Sequence, residues 1–120
     1  MAGKLVHVEI RAGDADRAQR FWSGLFDWQI SDSGMPGMDY RMFQTGEGQG
    51  GGIYEAEEKT GHLDVYFDTD DIDASIAKAR ELGGEASDRQ PIPSVGWFAN
   101  CKDSEGNAFN LFQGDESAGA

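Results

Sequence analysis

Two stretches of this chain carry the same order of side chains, and a fold built on that duplication is the strongest constraint in the sequence. In LVHVEIRAGDADRAQRFWSGLFDW, Val6, Val8 and Ile10 alternate with His7, Glu9 and Arg11, the two-residue period of a half-buried strand. Ala18, Phe21, Trp22 and Leu25 then recur at the three-and-four spacing of an amphipathic helix. In HLDVYFDTDDIDASIAKARELGG, Leu63, Val65 and Phe67 alternate with His62, Asp64, Tyr66 and Asp68, and Ile72, Ile76, Ala79 and Leu82 take up the helical spacing. With Asp14 laid on Asp71 the strands register without a gap: Val6, Val8 and Ile10 fall on Leu63, Val65 and Phe67. The polar faces coincide too, His7 on Asp64 and Glu9 on Tyr66.

After each helix the pattern reads as strands joined by turns. The first half offers WQIS, MDYRMFQT after SGMPGM, and GGIYEA after TGEGQGG. The second offers a short segment around EAS, GWFANCK after the proline-punctuated RQPIPSV, and NAFNLFQ after DSEG. Each half is thus strand, helix, strand, strand, strand. The expected class is α+β: two tandem βαβββ modules forming curved mixed sheets around a concave cleft, with the helices on the outer face. A chain of 120 residues suits one domain, with module 1 at about residues 4–57 and module 2 at about 60–113. Residues 114–120 read as a small, polar, frayed tail. A helix covers one face of its sheet, so the polar faces of the opening strands are expected to line the cleft, where ligand sites gather.

The acidic run from Asp64 to Asp73 invites a cation-loop reading, which the spacing rejects. Counted from Asp68, an EF-hand loop needs glycine sixth and glutamate twelfth; the chain has Asp73 and Ala79. Asp71 instead stands where a helix N-cap is wanted, Asp73 suits the positive end of the helix dipole, and Gly83 and Gly84 supply a left-handed stop. GEGQGGG lacks the Lys-Ser/Thr of a phosphate loop and no helix follows it, so a hairpin loop is expected. Neither Ser23 nor Ser94 has a nucleophile's setting.

Charge and cysteine usage narrow the partners. A formal charge of -12 opposes nucleic acid and anionic membrane surfaces. No run of eighteen apolar residues or apolar leader signals membrane insertion or export. Cys101, the single cysteine, excludes an intrachain disulfide and points to the cytoplasm; alternation puts it with Trp97 and Ala99 on the apolar face, as a structural thiol. The same alternation sends Tyr66, Phe98, Asn100, Asn110 and Phe112 to the opposite face, with Tyr40 or Met42 as further candidates. That lining suits a flat or partly apolar small organic molecule, oriented by His7, Asp64, Asn100 and Asn110.

Three segments, RFWSGLFDW closing the first helix, DDIDASIAKARELGG, and PSVGWFANCKDSEGNAFNLFQ at the end, resemble the vicinal oxygen chelate superfamily of glyoxalases, bleomycin resistance proteins and extradiol dioxygenases. The resemblance covers about residues 4–113 and implies the fold above, often as a homodimer. It also implies a divalent metal (Ni, Zn, Fe or Mn) held by the first and last strands of each module. The matching positions are His7, Asp64, Gly52 and Asn110. Gly52 has no ligating side chain and Asn110 offers only an amide, so the set is incomplete. His62, two residues before Asp64, and Glu9, two after His7, are the neighbours able to complete it, with His7, Asp64 and His62 as one metal set. The expected ligand-binding residues are therefore His7, Glu9, Asp64, Tyr66, Phe98, Asn100, Asn110 and Phe112. The expected function is small-molecule binding, by sequestration or metal-independent chemistry. The alternative is a metal-dependent lyase, isomerase or dioxygenase of the glyoxalase type.

Overall fold

A computed structural model describes residues 3–58 and 61–120. The expected start of the second module at about residue 60 lies outside the described residues. The elements are β1 (Leu5–Ala12), α1 (Ala15–Phe26), β2 (Ser31–Asp32), β3 (Tyr40–Gly46), β4 (Gln49–Glu55), β5 (Asp64–Asp68), α2 (Ile72–Glu81), β6 (Glu85–Ala86), β7 (Gln90–Ile92), β8 (Gly96–Lys102) and β9 (Ala108–Gly114). This is the α+β class; the first half runs β-α-β-β-β as expected, and the second carries one strand more after its helix, the short β7. The chain divides into two compact units, one of Val6–Asp64 and the other of the N-terminus through Leu5 with Val65–Ala120.

In the Val6–Asp64 unit the strand order is β2-β3-β4-β1, with β1 and β4 parallel and the other pairs antiparallel. Asp14 caps α1, accepting from the amide of Arg17 at 3.1 Å. The inward residues of β1, Val8, Ile10 and Ala12, pack with Phe43 and Ile53 against Ala18 and Trp22 of the helix. Ile53 is wholly buried, a burial that contributes on the order of 1.5–3 kcal/mol. WQIS is not the strand its pattern predicts: only Ser31–Asp32 pairs, because Trp28 turns into the core between Trp22 and Phe43, with ring centroids 5.4 and 4.3 Å away.

The glycine-rich segment also differs from the expected loop. The hairpin turn is confined to Glu47 and Gly48, where φ is 70°, and Gln49–Glu55 is a strand. The glycines serve close approach: a Cβ on Gly50 would strike the Phe43 carbonyl, and one on Gly51 the Val8 carbonyl.

In the other unit β5, β9 and β8 lie side by side, with β6 and β7 both paired to β8. Asp71 caps α2 by accepting from the Ala74 amide at 3.1 Å, so the acidic run is a strand-to-helix junction. Ile72 and Ile76 pack on Ala99, Cys101 and Leu111. Of the two glycines after α2, only Gly83 is left-handed, at φ 92°; Gly84 is needed because a Cβ there would lie 2.6 Å from the Lys102 carbonyl.

Two local readings are corrected here. RQPIPSV contains a strand, β7, which tolerates Pro91 because it pairs with β8 alone. The C-terminal residues are packed rather than frayed. Asp115 accepts from the Trp97 indole at 3.0 Å, the Ser94 amide donates to Ala118 at 3.0 Å, and Ala118 is buried.

Candidate functional site

Because Val8, Ile10 and Ala12 point to α1, strand alternation sends His7, Glu9 and Arg11 to the opposite face of the Val6–Asp64 sheet. Register decides what stands beside them. Glu9 pairs with Gly52 and Arg11 with Tyr54 across β1 and β4, and Gly52 and Tyr54 pair in turn with Met42 and Tyr40 of β3. Gly52 leaves a gap that the Tyr40 ring fills: a Cβ on Gly52 would collide with the hydroxyl-bearing edge of that ring. The Tyr40 hydroxyl thereby reaches over the neighbouring strand to β1. It donates to Glu9 Oε2 at 2.9 Å and lies 2.7 Å from His7 Nε2.

This chain of bonds fixes a proton. A phenol has one O–H; once that is given to Glu9, the contact with His7 is satisfied only if Nε2 carries the hydrogen and donates to the phenol oxygen. Burial, and next the carboxylate of Glu9, push the Tyr40 hydroxyl far above its ordinary pKa, so it stays a neutral relay. The rings of His7 and Tyr40 lie parallel, 4° apart at 6.5 Å, and Tyr40 also stacks on Tyr54 at 6.2 Å.

A second cluster lies in the same unit. Arg11 Nε donates to Asp64 Oδ2 at 3.1 Å, and His62 Nε2 lies 3.5 Å from Asp64 Oδ1. Burial opposes the Arg11 charge, but Tyr54 and Asp64 more than compensate and hold its pKa above the usual value. The Tyr54 hydroxyl is pushed up chiefly by burial, against the nearby Arg11 charge.

In the unit of Val65–Ala120, Trp97, Ala99 and Cys101 face α2, and burial pushes the Cys101 thiol upward. Tyr66 pairs with Asn110, Asn110 with Asn100, and Phe112 with Phe98, so the five predicted residues share the face away from the helix. Asn110 is buried and its amide donates to the Val65 carbonyl at 3.2 Å. A groove of about 400 Å³ lies instead on the helix side, lined by residues including Lys78, Leu82, Lys102 and Phe109. None of the predicted ligand residues reaches it.

Sequence reasoning named Tyr40 only as a possible lining residue and missed Arg11 and Tyr54. Arg11 was open to the same alternation that found His7 and Glu9. Tyr40 and Tyr54 depend on the pairing of three strands, which no local pattern carries.

The residues do not fit the divalent ion that the superfamily implies. The position of one expected ligand is Gly52, and the Tyr40 ring stands where any side chain there would go. The Asp64 carboxylate is held by Arg11, and the proton on His7 Nε2 occupies its lone pair. Among the described residues no three His, Cys, Asp or Glu side chains converge as a metal-holding group.

The order of elements and the strand pairing give an α+β fold shared with the solved structures named below. Residues 7–112 match the glyoxalase-like domain family, and the chain belongs to it. Over 115 residues it is 32% identical to a putative glyoxylase, CFP32, of Mycobacterium bovis; the match takes in 92% of this chain and 44% of that protein. The chain thus spans less than half the length of the curated relatives it matches. Methylmalonyl-CoA epimerase from Mycobacterium tuberculosis superposes with a TM-score of 0.72 at 15% identity, over 94% of this chain and 88% of that one. An extradiol ring-cleaving dioxygenase from B. fuscum gives 0.70 at 14% identity, over 99% of this chain and 34% of its own. These likenesses establish the fold. No helix among the described residues is long and apolar enough to cross a membrane.

Proposed function

We propose that the protein binds a small, partly apolar organic molecule on the sheet face carrying His7, Glu9, Tyr40 and Tyr54, by hydrogen bonds and ring contact and without a metal ion. The observation that carries this reading is the His7–Tyr40–Glu9 chain over Gly52. It holds an imidazole in one tautomer beside stacked phenol rings, a preformed polar anchor in an aromatic setting. The face bearing Tyr66, Phe98, Asn100, Asn110 and Phe112 is a second candidate surface of similar chemistry.

The ligand class follows from the charge. Structural neighbours include a methylmalonyl-CoA epimerase in complex with methylmalonyl-CoA, so acyl compounds are sensible probes. A formal charge of -12 opposes the polyphosphate of coenzyme A, which favours an uncharged carbonyl compound over the thioester itself. The role is sequestration or metal-independent chemistry, in a reducing compartment that suits the free Cys101. Pairing with a second copy is part of the same proposal, as the superfamily resemblance implies.

Titration calorimetry with a panel of neutral carbonyl and aromatic compounds, and with methylmalonyl-CoA, tests this reading. Binding by a panel member that is lost in both His7→Ala and Tyr40→Phe supports it. Binding indifferent to both substitutions refutes the assignment of the face. The glyoxylase name of the relative favours one other reading, a metal-dependent lyase, isomerase or dioxygenase. Stoichiometric Ni, Zn, Fe or Mn, lost in His7→Ala, would establish that one instead.

A further inference from the structure

We propose that Tyr40 and Gly52 act as a pair to keep divalent cations off His7 and Glu9, and so determine that this face recognises its ligand through hydrogen bonds. The proposal rests on the location of the site given above; ligand binding indifferent to His7 and Tyr40 sinks that reading alone, and a folded double variant that gains no metal affinity sinks this one alone.

His7 Nε2 and Glu9 Oε2 are 3.6 Å apart. Two ligands on one tetrahedral zinc, at about 2.0–2.2 Å each, are separated by about 3.4 Å. The pair therefore stands close to metal-ligand spacing, and the atom on both of them is the Tyr40 oxygen, at 2.7 and 2.9 Å. The phenol spends what a cation would use. Its proton goes to the carboxylate, and its oxygen is satisfied by the Nε2 hydrogen, which removes the lone pair that would ligate. Tyr40 is only 8% exposed, so it cannot swing into water without emptying the space above Gly52.

Gly52 makes this possible. Any side chain there would need the volume of the Tyr40 ring, so the two positions are sterically coupled. Gly52 is also the register partner of Glu9 on the adjacent strand. A carboxylate brought in by Gly52→Glu, with the ring removed by Tyr40→Ala, would stand next to Glu9 and His7 as a third donor, enough for an open zinc or nickel site.

Calorimetric titration of the full chain with ZnCl2 and NiCl2 tests the pair. Tyr40→Ala with Gly52→Glu is expected to bind either ion about 100-fold or more tightly than wild type, on the scale by which ligand surroundings set metal affinity. Adding His7→Ala should return it to the wild-type level. A double variant shown by circular dichroism to be folded, yet binding no better than wild type, overturns the proposal. So does wild-type protein binding either ion at one equivalent in a His7-dependent way. Should the double variant not fold, ¹⁵N-resolved imidazole spectra of wild type decide: a proton on His7 Nε2 that persists at ten equivalents of ZnCl2 supports the proposal, and its displacement by zinc refutes it.

Discussion

Tyr40→Phe removes one oxygen and leaves the ring that fills the space over Gly52, so its effect isolates the hydrogen-bond chain. Two bonds are lost, one to an imidazole N–H at 2.7 Å and one to a carboxylate at 2.9 Å. A neutral bond contributes about 0.5–1.5 kcal/mol and one to a charged group about 1.5–3. The side chains of His7 and Glu9 retain 28% and 19% exposure, so water can partly replace the phenol, and the net loss should be about 1.5–2.5 kcal/mol. For a chain of this length that is a fall in Tm of roughly 5–10 °C.

The pH dependence gives the sharper test. The Tyr40 pKa is raised in the fold above the ordinary 10.0, so its stabilisation is complete below pH 10 and is lost as pH climbs toward the higher folded value. Above pH 10 the unfolded chain gives up a proton that the native protein keeps, at about 1.4 kcal/mol per pH unit. Tyr40→Phe has no such group. Urea unfolding of both proteins at pH 7, 9, 10 and 11 should show a constant gap up to pH 9 that shrinks by about 1 kcal/mol between pH 10 and 11, somewhat under the full slope because the unfolded tyrosine is half ionised at pH 10. A gap unchanged at pH 11 would mean that the hydroxyl is not held neutral between His7 and Glu9, and the reasoning fails.

Three further outcomes can be measured directly. Asp71→Ala removes the α2 cap and should cost about 1 kcal/mol in urea unfolding, while Asp71→Ser, which keeps a capping oxygen, should cost clearly less; equal costs would count against the cap. Asp115→Ala strips the Trp97 indole of its acceptor and loosens the closing turn, and should lower Tm by a few degrees and shift Trp97 fluorescence; a variant identical to wild type would return residues 115–120 to the frayed state the composition suggests. Cys101, buried with its thiol pKa raised by burial, should react with Ellman's reagent only in step with global unfolding; rapid reaction of native protein would contradict its place under α2.

Periodicity was enough to place β1, α1, β5 and α2 and the caps Asp14 and Asp71, because each of those signals lies within a dozen neighbouring residues. It also put His7 and Glu9 on one face, and Tyr66, Phe98, Asn100, Asn110 and Phe112 on another. It failed at Trp28, whose neighbours look like a strand while its ring is drawn into a stack with Phe43, a residue distant in sequence. It failed at GEGQGGG, where glycine normally signals a turn but here permits backbone carbonyls of Phe43 and Val8 to come close. It failed at β7, since Pro91 reads as a breaker until the strand is known to lie beside β8 alone.

The chain by itself therefore determined the opening strand and helix of each half, the caps that start the helices and the alternation that turns His7 and Glu9 away from α1. All of these follow from propensity and spacing along a short stretch. Only the tertiary structure decided that Tyr40, two strands away, would occupy the space Gly52 leaves and take both residues as partners. That outcome depends on the register of β3 against β4 and of β4 against β1, a long-range pairing energy that local sequence does not encode.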